Sequence, residues 1–253
     1  MRIAIIQHNI LSGSVEATLD RLSVLMNSAE SSDVYVLSEM FATGFVVDDV
    51  SASSHSHFIR QWMLQQAKLR NAAIVGSMAE NDGNGKLLNR MYFITPEGEV
   101  QHYDKRHLFS FGGEDEHYSP GKERVIINFE GVRFLLQVCY DLRFPVFSRC
   151  RNDYDVAVYV AAWPEARISA WSTLLPARAV ENQAYIVGVN RTGEDGSLKY
   201  NGCSEIIDYL GRPIVCVGSE EGGWTAEIDI DKQQKFRAKF PALADSDNFH
   251  IIL

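Results

Sequence analysis

Three residues that could do chemistry together stand where predicted strands end. Glu39 follows the apolar run VYVLS, and Cys139 follows the apolar run FLLQV. Lys105 comes just after a strand predicted at 100–103. The carboxylate could act as a general base and the thiol as a nucleophile. The ammonium could stabilise a developing oxyanion. The pattern therefore favours covalent catalysis by Cys139.

Each of these residues also has a purely structural interpretation. Free cysteines are among the most buried residue types, so Cys139 could simply fill space in the core. Glu39 could be a solvated loop carboxylate, and Lys105 could belong to a surface charge cluster with Asp104 and Arg106. The spacing along the chain does not decide whether the three side chains meet.

The segment around Cys139 is suited to displaying a nucleophile. Pro145 lies where a helix could begin, so Cys139 is predicted at a strand-to-helix junction. There the sheet holds the side chain, and the backbone N–H groups that follow can turn toward a developing negative charge. A nearby charged lysine would favour the thiolate, whereas a partly buried carboxylate would oppose it.

Composition and charge restrict the classes of protein and partner. The 253 residues are 46% apolar, which suits a single domain over 1–253 with a sizeable core. The formal net charge of −9 and the lack of a basic run argue against nucleic acid and membranes as partners. Four scattered cysteines fit a reducing cytoplasm, and the N-terminal segment MRIAIIQHNI reads as a buried strand.

The order of predicted elements indicates an α/β fold. Strands and helices alternate up to about residue 80, hairpins fill 88–138, and alternation then returns. Helices are predicted at about 15–30, 56–70, 146–152 and 168–182. Because both faces of the strands are too apolar to be wet, two mixed sheets should pack together with helices outside. This is a four-layer α-β-β-α sandwich, with a long irregular loop at 104–123.

Three sequence blocks resemble the catalytic blocks of the nitrilase, or carbon–nitrogen hydrolase, superfamily. They are LSEMFATGF at 37–45, YDKRHLF at 103–109 and VCYDLRFPVFSR at 138–149, and the segment at 175–193 is similar to a later part of the family. The resemblance implies Glu39 as general base, Lys105 as oxyanion stabiliser and Cys139 as nucleophile. It also implies the four-layer fold and usually a homodimer or larger homo-oligomer. We expect no cofactor and no metal.

Within that superfamily, the run CYDLRFP is similar to the omega-amidase branch. That branch hydrolyses the terminal amide of 2-oxoglutaramate and 2-oxosuccinamate, which are small-molecule substrates. Nitrilases usually carry Trp-Glu after the cysteine and carbamoylases an Asn-Asp-Arg-Arg type of run, and neither is present. The alternatives are a carbamoylase, an aliphatic amidase or a nitrilase with the same triad, or a catalytically silent scaffold of the same fold.

The resemblance and the chemistry of the substrate suggest further site residues. Glu114 matches a second glutamate of the family that helps to position the lysine and the substrate, with Glu116 as its competitor. The backbone N–H of Tyr140 is expected to hold the oxyanion together with Lys105. Arg143 is a candidate partner for a substrate carboxylate because its guanidinium can bind bidentately. Its structural alternative is an ion pair with Asp141 or another acidic residue.

Three aromatic residues are candidate walls of the site, although each could equally be a core residue. They are Phe41, Tyr140 and Trp163. Elsewhere, Arg178 and Glu181 are expected to pair on the surface of a helix in a structural role. The C-terminal segment 240–253 could pack on a neighbouring subunit or on its own domain. The remaining cysteines are interpreted as packing residues: Cys150, Cys203 and Cys216.

Overall fold

Two six-stranded mixed sheets form the centre of the protein in a computed structural model, which describes residues 1–11, 13–45, 47 and 50–251. The strands are β1 Arg2–Gln7, β2 Val34–Val36, β3 Ala73–Asn81, β4 Leu87–Ile94, β5 Val100–Asp104, β6 Ile126–Phe129, β7 Val132–Val138, β8 Val156–Ala161, β9 Tyr185–Asn190, β10 Thr192–Asp195, β11 Leu198–Asn201, β12 Glu205–Ile207, β13 Pro213–Cys216 and β14 Gly222–Glu227. The α-helices are α1 Val15–Ser28, α2 Ser56–Arg70, α3 Glu114–His117, α4 Pro145–Ser148, α5 Ile168–Asn182 and α6 Ile230–Lys239. Short 3₁₀ helices lie at Val50–His55, Ser110–Gly112, Cys139–Arg143, Glu165–Arg167 and Ala242–Asp245.

The strand order brings the ends of several strands to the same edge of the sandwich. The first sheet has the order β14-β1-β2-β3-β4-β5 and the second has the order β13-β12-β9-β8-β7-β6. Strands β1, β2 and β3 are parallel, as are β7, β8 and β9. Strand β5 follows two antiparallel pairings, so it runs in the same direction as β3. The carboxyl ends of β2 and β5 therefore share one edge, as those of β7 and β8 do in the second sheet.

Apolar side chains on alternating positions divide the molecule into layers. Ile5 of β1 and Val158 of β8 belong to the cluster between the sheets. On the outer faces, Ile6 packs with α1 and α2, and Tyr159 packs with α5. Burial of each aliphatic side chain stabilises the fold by about 1.5–3 kcal/mol. A shift of one residue in strand pairing would move the apolar side chains of that strand to its opposite face. The predicted four-layer α-β-β-α sandwich is confirmed.

The structure also shows where the predicted elements differ from the real ones. Helices α2 and α5 have the predicted bounds, 56–70 and 168–182, but α4 ends at Ser148 rather than at residue 152. The backbone of Arg149 leaves the helical region, with φ −56° and ψ 124°. The hairpin of β10 and β11 was not predicted, and the irregular loop at 104–123 contains α3 and a 3₁₀ turn.

The predictions for the remaining cysteines and for the C-terminal segment can be compared with the structure. Cys150 is fully buried and Cys203 is partly buried, whereas Cys216 is exposed, so its interpretation as a packing residue is wrong. The C-terminal segment contacts its own domain as far as it is described. Gln183 Nε2 donates to the carbonyl of Phe240 at 2.9 Å, and residues 252–253 lie outside the described part of the chain. None of the described helices is both long and apolar enough to cross a membrane.

The buried imidazole of His8 gives the fold a specific pH dependence. His8 Nε2 donates to the carbonyl of Phe41 at 2.8 Å, and burial lowers the pKa of His8 from 6.5 to about 4. The unfolded chain therefore binds a proton at higher pH than the folded protein. The stability that this imidazole supports is complete above pH 6.5 and is lost as the pH falls through 4.

Replacing His8→Gln should remove this part of the pH dependence while keeping a donor for Phe41. Between pH 7.5 and pH 4.5, the unfolding free energy of the unmodified protein should fall by about 2–3 kcal/mol more than that of the variant. Urea unfolding at both values measures the difference. His57→Gln is the control because His57 is exposed. Equal losses in the unmodified protein and in His8→Gln would contradict the prediction.

Candidate active site

The structure brings the three predicted side chains to one small cavity. Glu39, Lys105 and Cys139 all line a cavity of about 150 Å³. Lys105 Nζ donates to Glu39 Oε1 at 2.9 Å, and the Glu39 carboxylate lies close enough to Cys139 for its charge to act on the thiol. Each residue follows the strand at whose end it was predicted, so the sheet edges position all three.

Cys139 is held in a strained backbone conformation at the end of β7. Its φ is +46°, a left-handed value that non-glycine residues rarely adopt and that costs about 1–3 kcal/mol. The Asp141 carboxylate accepts the N–H of Val138 at 2.9 Å and so fixes the start of the turn. The 3₁₀ turn from Cys139 and the helix α4 that begins at Pro145 form the predicted strand-to-helix junction.

Asp141 also connects the cysteine turn to the lysine loop. Its carboxylate accepts from Tyr103 Oη at 2.8 Å, from the His107 backbone N–H at 3.0 Å and from His107 Nδ1 at 2.7 Å. The imidazole of His107 stacks on Phe144 with ring centroids 3.9 Å apart. The buried carboxylate therefore joins the segments that carry Lys105 and Cys139.

Lys105 is buried between two carboxylates. Its Nζ donates to Glu114 Oε1 at 3.0 Å and Oε2 at 2.8 Å, in addition to Glu39. The ring of Phe45 lies 5.2 Å from Nζ and supplies a cation–π contact. Of the two candidate glutamates in this loop, Glu114 is the one beside the lysine, because Glu116 is exposed.

The electrostatics of the cluster favour a protonated thiol and a charged lysine. Burial opposes the charge on Lys105, yet Glu114 and Glu39 raise the pKa of its ammonium well above the usual value. Burial raises the pKa of Glu114. Burial and the charge of Glu39 raise the pKa of Cys139 well above the usual value, while Lys105 opposes them. The carboxylate thus outweighs the lysine in setting the state of the thiol.

Glu39 links the two sheets across the site. Its Oε2 accepts from the backbone N–H of Ala162 at 2.8 Å, just beyond β8. Its Oε1 accepts from Asn89 Nδ2 at 2.7 Å as well as from Lys105. Asn89 was not singled out from the sequence because it lies within the ordinary strand pattern of β4.

Three of the proposed substrate-binding residues line the cavity. They are Tyr140, Arg143 and Trp163. The guanidinium of Arg143 lies 4.9 Å from the centroid of the Trp163 ring. Within the described part of the chain, no ion pair involves Arg143, so the alternative pairing with Asp141 is not observed.

Phe41 lies elsewhere. It is fully buried between the first sheet and the helices, with its ring centroid 6.0 Å from that of Trp62. Met40 has a φ of +46°, and this turn accompanies a change in the direction of the chain directly after Glu39. Phe45, four residues further on, lines the cavity where Phe41 was predicted to do so.

Two further features were not predicted from the sequence. Arg178 pairs with Glu181 at 3.0 Å as expected, but it is buried rather than on the surface. Its Nη2 donates to the carbonyl of Leu142 at 2.7 Å and supports the turn after Cys139. Phe109, from the block at 103–109, also lines the cavity, together with three residues from segments that the sequence did not mark: Arg167, Leu198 and Tyr200.

Comparisons with known proteins agree with this geometry. The family model for carbon-nitrogen hydrolases matches residues 2–238. The chain is 40% identical to the omega-amidase YafV of Yersinia enterocolitica, covering 100% of this chain and 99% of the relative. It is 30% identical to the 2-oxoglutaramate amidase of Bacillus subtilis, covering 96% of each. The solved structure of a CN-hydrolase superfamily protein from Xanthomonas campestris, with an arsenic adduct in its active site, has a TM-score of 0.93 and 38% identity, covering 99% of this chain and 98% of that one.

Removing the charge of Glu39 should make the thiol of Cys139 easier to ionise and should at the same time lower the rate of turnover. In Glu39→Gln, the pKa of Cys139 should fall because the opposing charge is gone while Lys105 remains nearby. If Glu39 accepts the thiol proton, amide turnover should also drop by about 100- to 10,000-fold. Thiolate absorbance against pH, corrected with matched Cys139→Ala proteins, measures the pKa. Glu116→Gln is the control, and an unchanged or raised Cys139 pKa in Glu39→Gln would contradict the electrostatic account.

Proposed function

The chain belongs to the carbon–nitrogen hydrolase family, and we propose that it hydrolyses the terminal amide of a small 2-oxo dicarboxylate monoamide. The substrates are of the 2-oxoglutaramate and 2-oxosuccinamate type, and the products are the 2-oxo acid and ammonia. The observation that carries this proposal is the buried cluster of Glu39, Lys105 and Cys139 in a small cavity that also contains Arg143. The omega-amidase and 2-oxoglutaramate amidase relatives support the choice of substrate.

In the first half-reaction, Cys139 Sγ attacks the amide carbon and forms a C–S bond. Because the resting residue is a thiol beside the Glu39 carboxylate, its proton passes to that carboxylate as attack proceeds. Lys105 Nζ and the backbone N–H of Tyr140 hold the negative charge that develops on the carbonyl oxygen. The protonated Glu39 then gives its proton to the departing nitrogen, so ammonia leaves and a thioester remains.

The second half-reaction restores the enzyme. Glu39, again a carboxylate, removes a proton from a water molecule that attacks the thioester carbon. The C–S bond breaks, and the thiol of Cys139 recovers its proton. The product, now a 2-oxo acid with two carboxyl groups, is released. One water is consumed and one ammonia is produced in each turnover.

Glu114 and Arg143 position the participants. Glu114 holds the Lys105 ammonium with both carboxylate oxygens, so the cation remains in place while Glu39 changes protonation state. Arg143 lines the same cavity and presents a planar guanidinium that matches the carboxylate at the far end of the substrate. Tyr140 and Trp163 supply the aromatic surface between the two ends.

We also propose that the enzyme is a single domain that works as a homodimer or larger homo-oligomer in the cytoplasm. The exposed apolar side chains of Val180 on α5 and Leu210 on the β12–β13 turn support an interface. These segments adjoin, since a Cβ at Gly211 would lie 2.7 Å from Val180. Four cysteines without a disulfide fit a reducing compartment. Light scattering measures the mass in solution, and a monomer would contradict the assembly.

A substrate panel tests the proposed reaction. Ammonia release is measured with 2-oxoglutaramate, glutamine, an N-carbamoyl amino acid, an aliphatic nitrile and a neutral aliphatic amide. The 2-oxo acid amide should give the highest kcat/KM, and Cys139→Ala should abolish release. Faster release from another member of the panel would contradict the substrate, and no release from any would contradict the enzymatic proposal.

The neutral amide in this panel is the control for the proposed binding of the substrate carboxylate by Arg143. Arg143→Leu should raise KM for the amide that carries a carboxylate about 10- to 100-fold, because a charge-assisted hydrogen bond is lost. The neutral amide should be affected little. Equal losses for both substrates would assign Arg143 a structural role.

A further inference from the structure

Asn89 hydrogen-bonds to both carboxylates of the buried cluster and, through its backbone, to the residue that carries the ammonium. Its side chain is 1% exposed, and its Nδ2 donates to Glu39 Oε1 at 2.7 Å and lies 3.3 Å from Glu114 Oε1. Its backbone carbonyl accepts the N–H of Lys105 at 2.9 Å. One residue of β4 therefore joins both carboxylates and the strand end that carries the lysine.

The orientation of the Asn89 amide is determined by its neighbours. Carboxylate oxygens are acceptors, so the NH₂ group must face Glu39 and Glu114, and the reverse orientation would place Oδ1 against them. As a result, Oδ1 is buried without a hydrogen-bond partner among the described residues. An unpaired buried carbonyl is unfavourable for folding, which indicates that the donor side of this amide serves the site.

The two carboxylate oxygens of Glu39 differ in how many hydrogen bonds they already accept. A carboxylate oxygen has room for about two hydrogen bonds. Asn89 and Lys105 occupy both places on Oε1. Oε2 accepts from the Ala162 N–H and, within the described part of the chain, from no other donor, so it retains a free lone pair. Without Asn89, Oε1 would have a free lone pair as well, and only Lys105 would still direct the proton to Oε2.

We propose that Asn89 is a positioning residue for the reaction, whose amide group occupies Glu39 Oε1 and so makes Oε2 the oxygen that exchanges protons with Cys139 and the substrate. This inference rests on the proposed role of Glu39 as the base. Asn89 suits the position because it is neutral and can donate to two carboxylates at once. An aspartate would add a third negative charge to a dry cluster that already has two carboxylates for one ammonium.

Two variants test the role of the amide. Asn89→Leu keeps a similar volume without a donor, and Asn89→Asp keeps the shape but replaces the donor with an acceptor. Both should lower kcat, the first about 10- to 100-fold, with KM changed less than about twofold. The acidic limb of the kcat/KM profile should move to higher pH by roughly one unit in Asn89→Leu, because the ionised carboxylate has lost a donor.

The alkylation rate of Cys139 by iodoacetamide provides a second readout that needs no substrate. Its acidic limb should move in the same direction in Asn89→Leu, so the inference can be tested even if the substrate panel contradicts the proposed function. Asn128→Asp is the matched control because Asn128 is an exposed asparagine of β6. Thermal unfolding checks that each variant is folded, and Asn89→Leu carries the test if Asn89→Asp fails to fold. Unshifted acidic limbs in both assays, or a uniform loss at every pH, would overturn the proposal.

Discussion

One buried ammonium shared between two buried carboxylates is the constraint on which the site depends. Lys105, Glu39 and Glu114 are each 1% exposed or less, and burial of unpaired charges is strongly unfavourable. The cluster persists because each carboxylate has further donors, from the Ala162 and Phe109 N–H groups. These donors come from the end of the second sheet and from the loop after β5, and Lys105 follows the first sheet, so the layers must be assembled before the charges can be buried together.

Much of the fold could be predicted because its signals are local. The helix at 168–182 was predicted with the bounds it has, and the alternation of apolar residues was sufficient to infer two stacked sheets. Where the structure departs from the prediction, the cause is a backbone change that composition does not reveal. Arg149 ends α4 early by leaving the helical region. The hairpin of β10 and β11 has a polar, partly exposed sequence that lacks a strand signal and depends on its place beside the cavity.

The site was predictable only to the extent that strand ends mark it. Cys139 could be identified because an apolar run leads directly to it. Phe41 and Phe45 could not be told apart, since the left-handed turn at Met40 decides which ring reaches the cavity. Asn89 and Arg178 act through partners that are 50 and 36 residues away in the chain. Such contacts are tertiary, and a single sequence contains no local pattern that indicates them.

The four hydrogen bonds of Asp141 have a mechanical consequence. One carboxylate ties the backbone before Cys139 in the second sheet to Tyr103 and His107, which lie on either side of Lys105 at the end of the first sheet. If the sheets slid past each other, these bonds would all have to break together, because they converge on two oxygen atoms. The relative position of Lys105 and Cys139 is therefore expected to resist sliding of one sheet over the other.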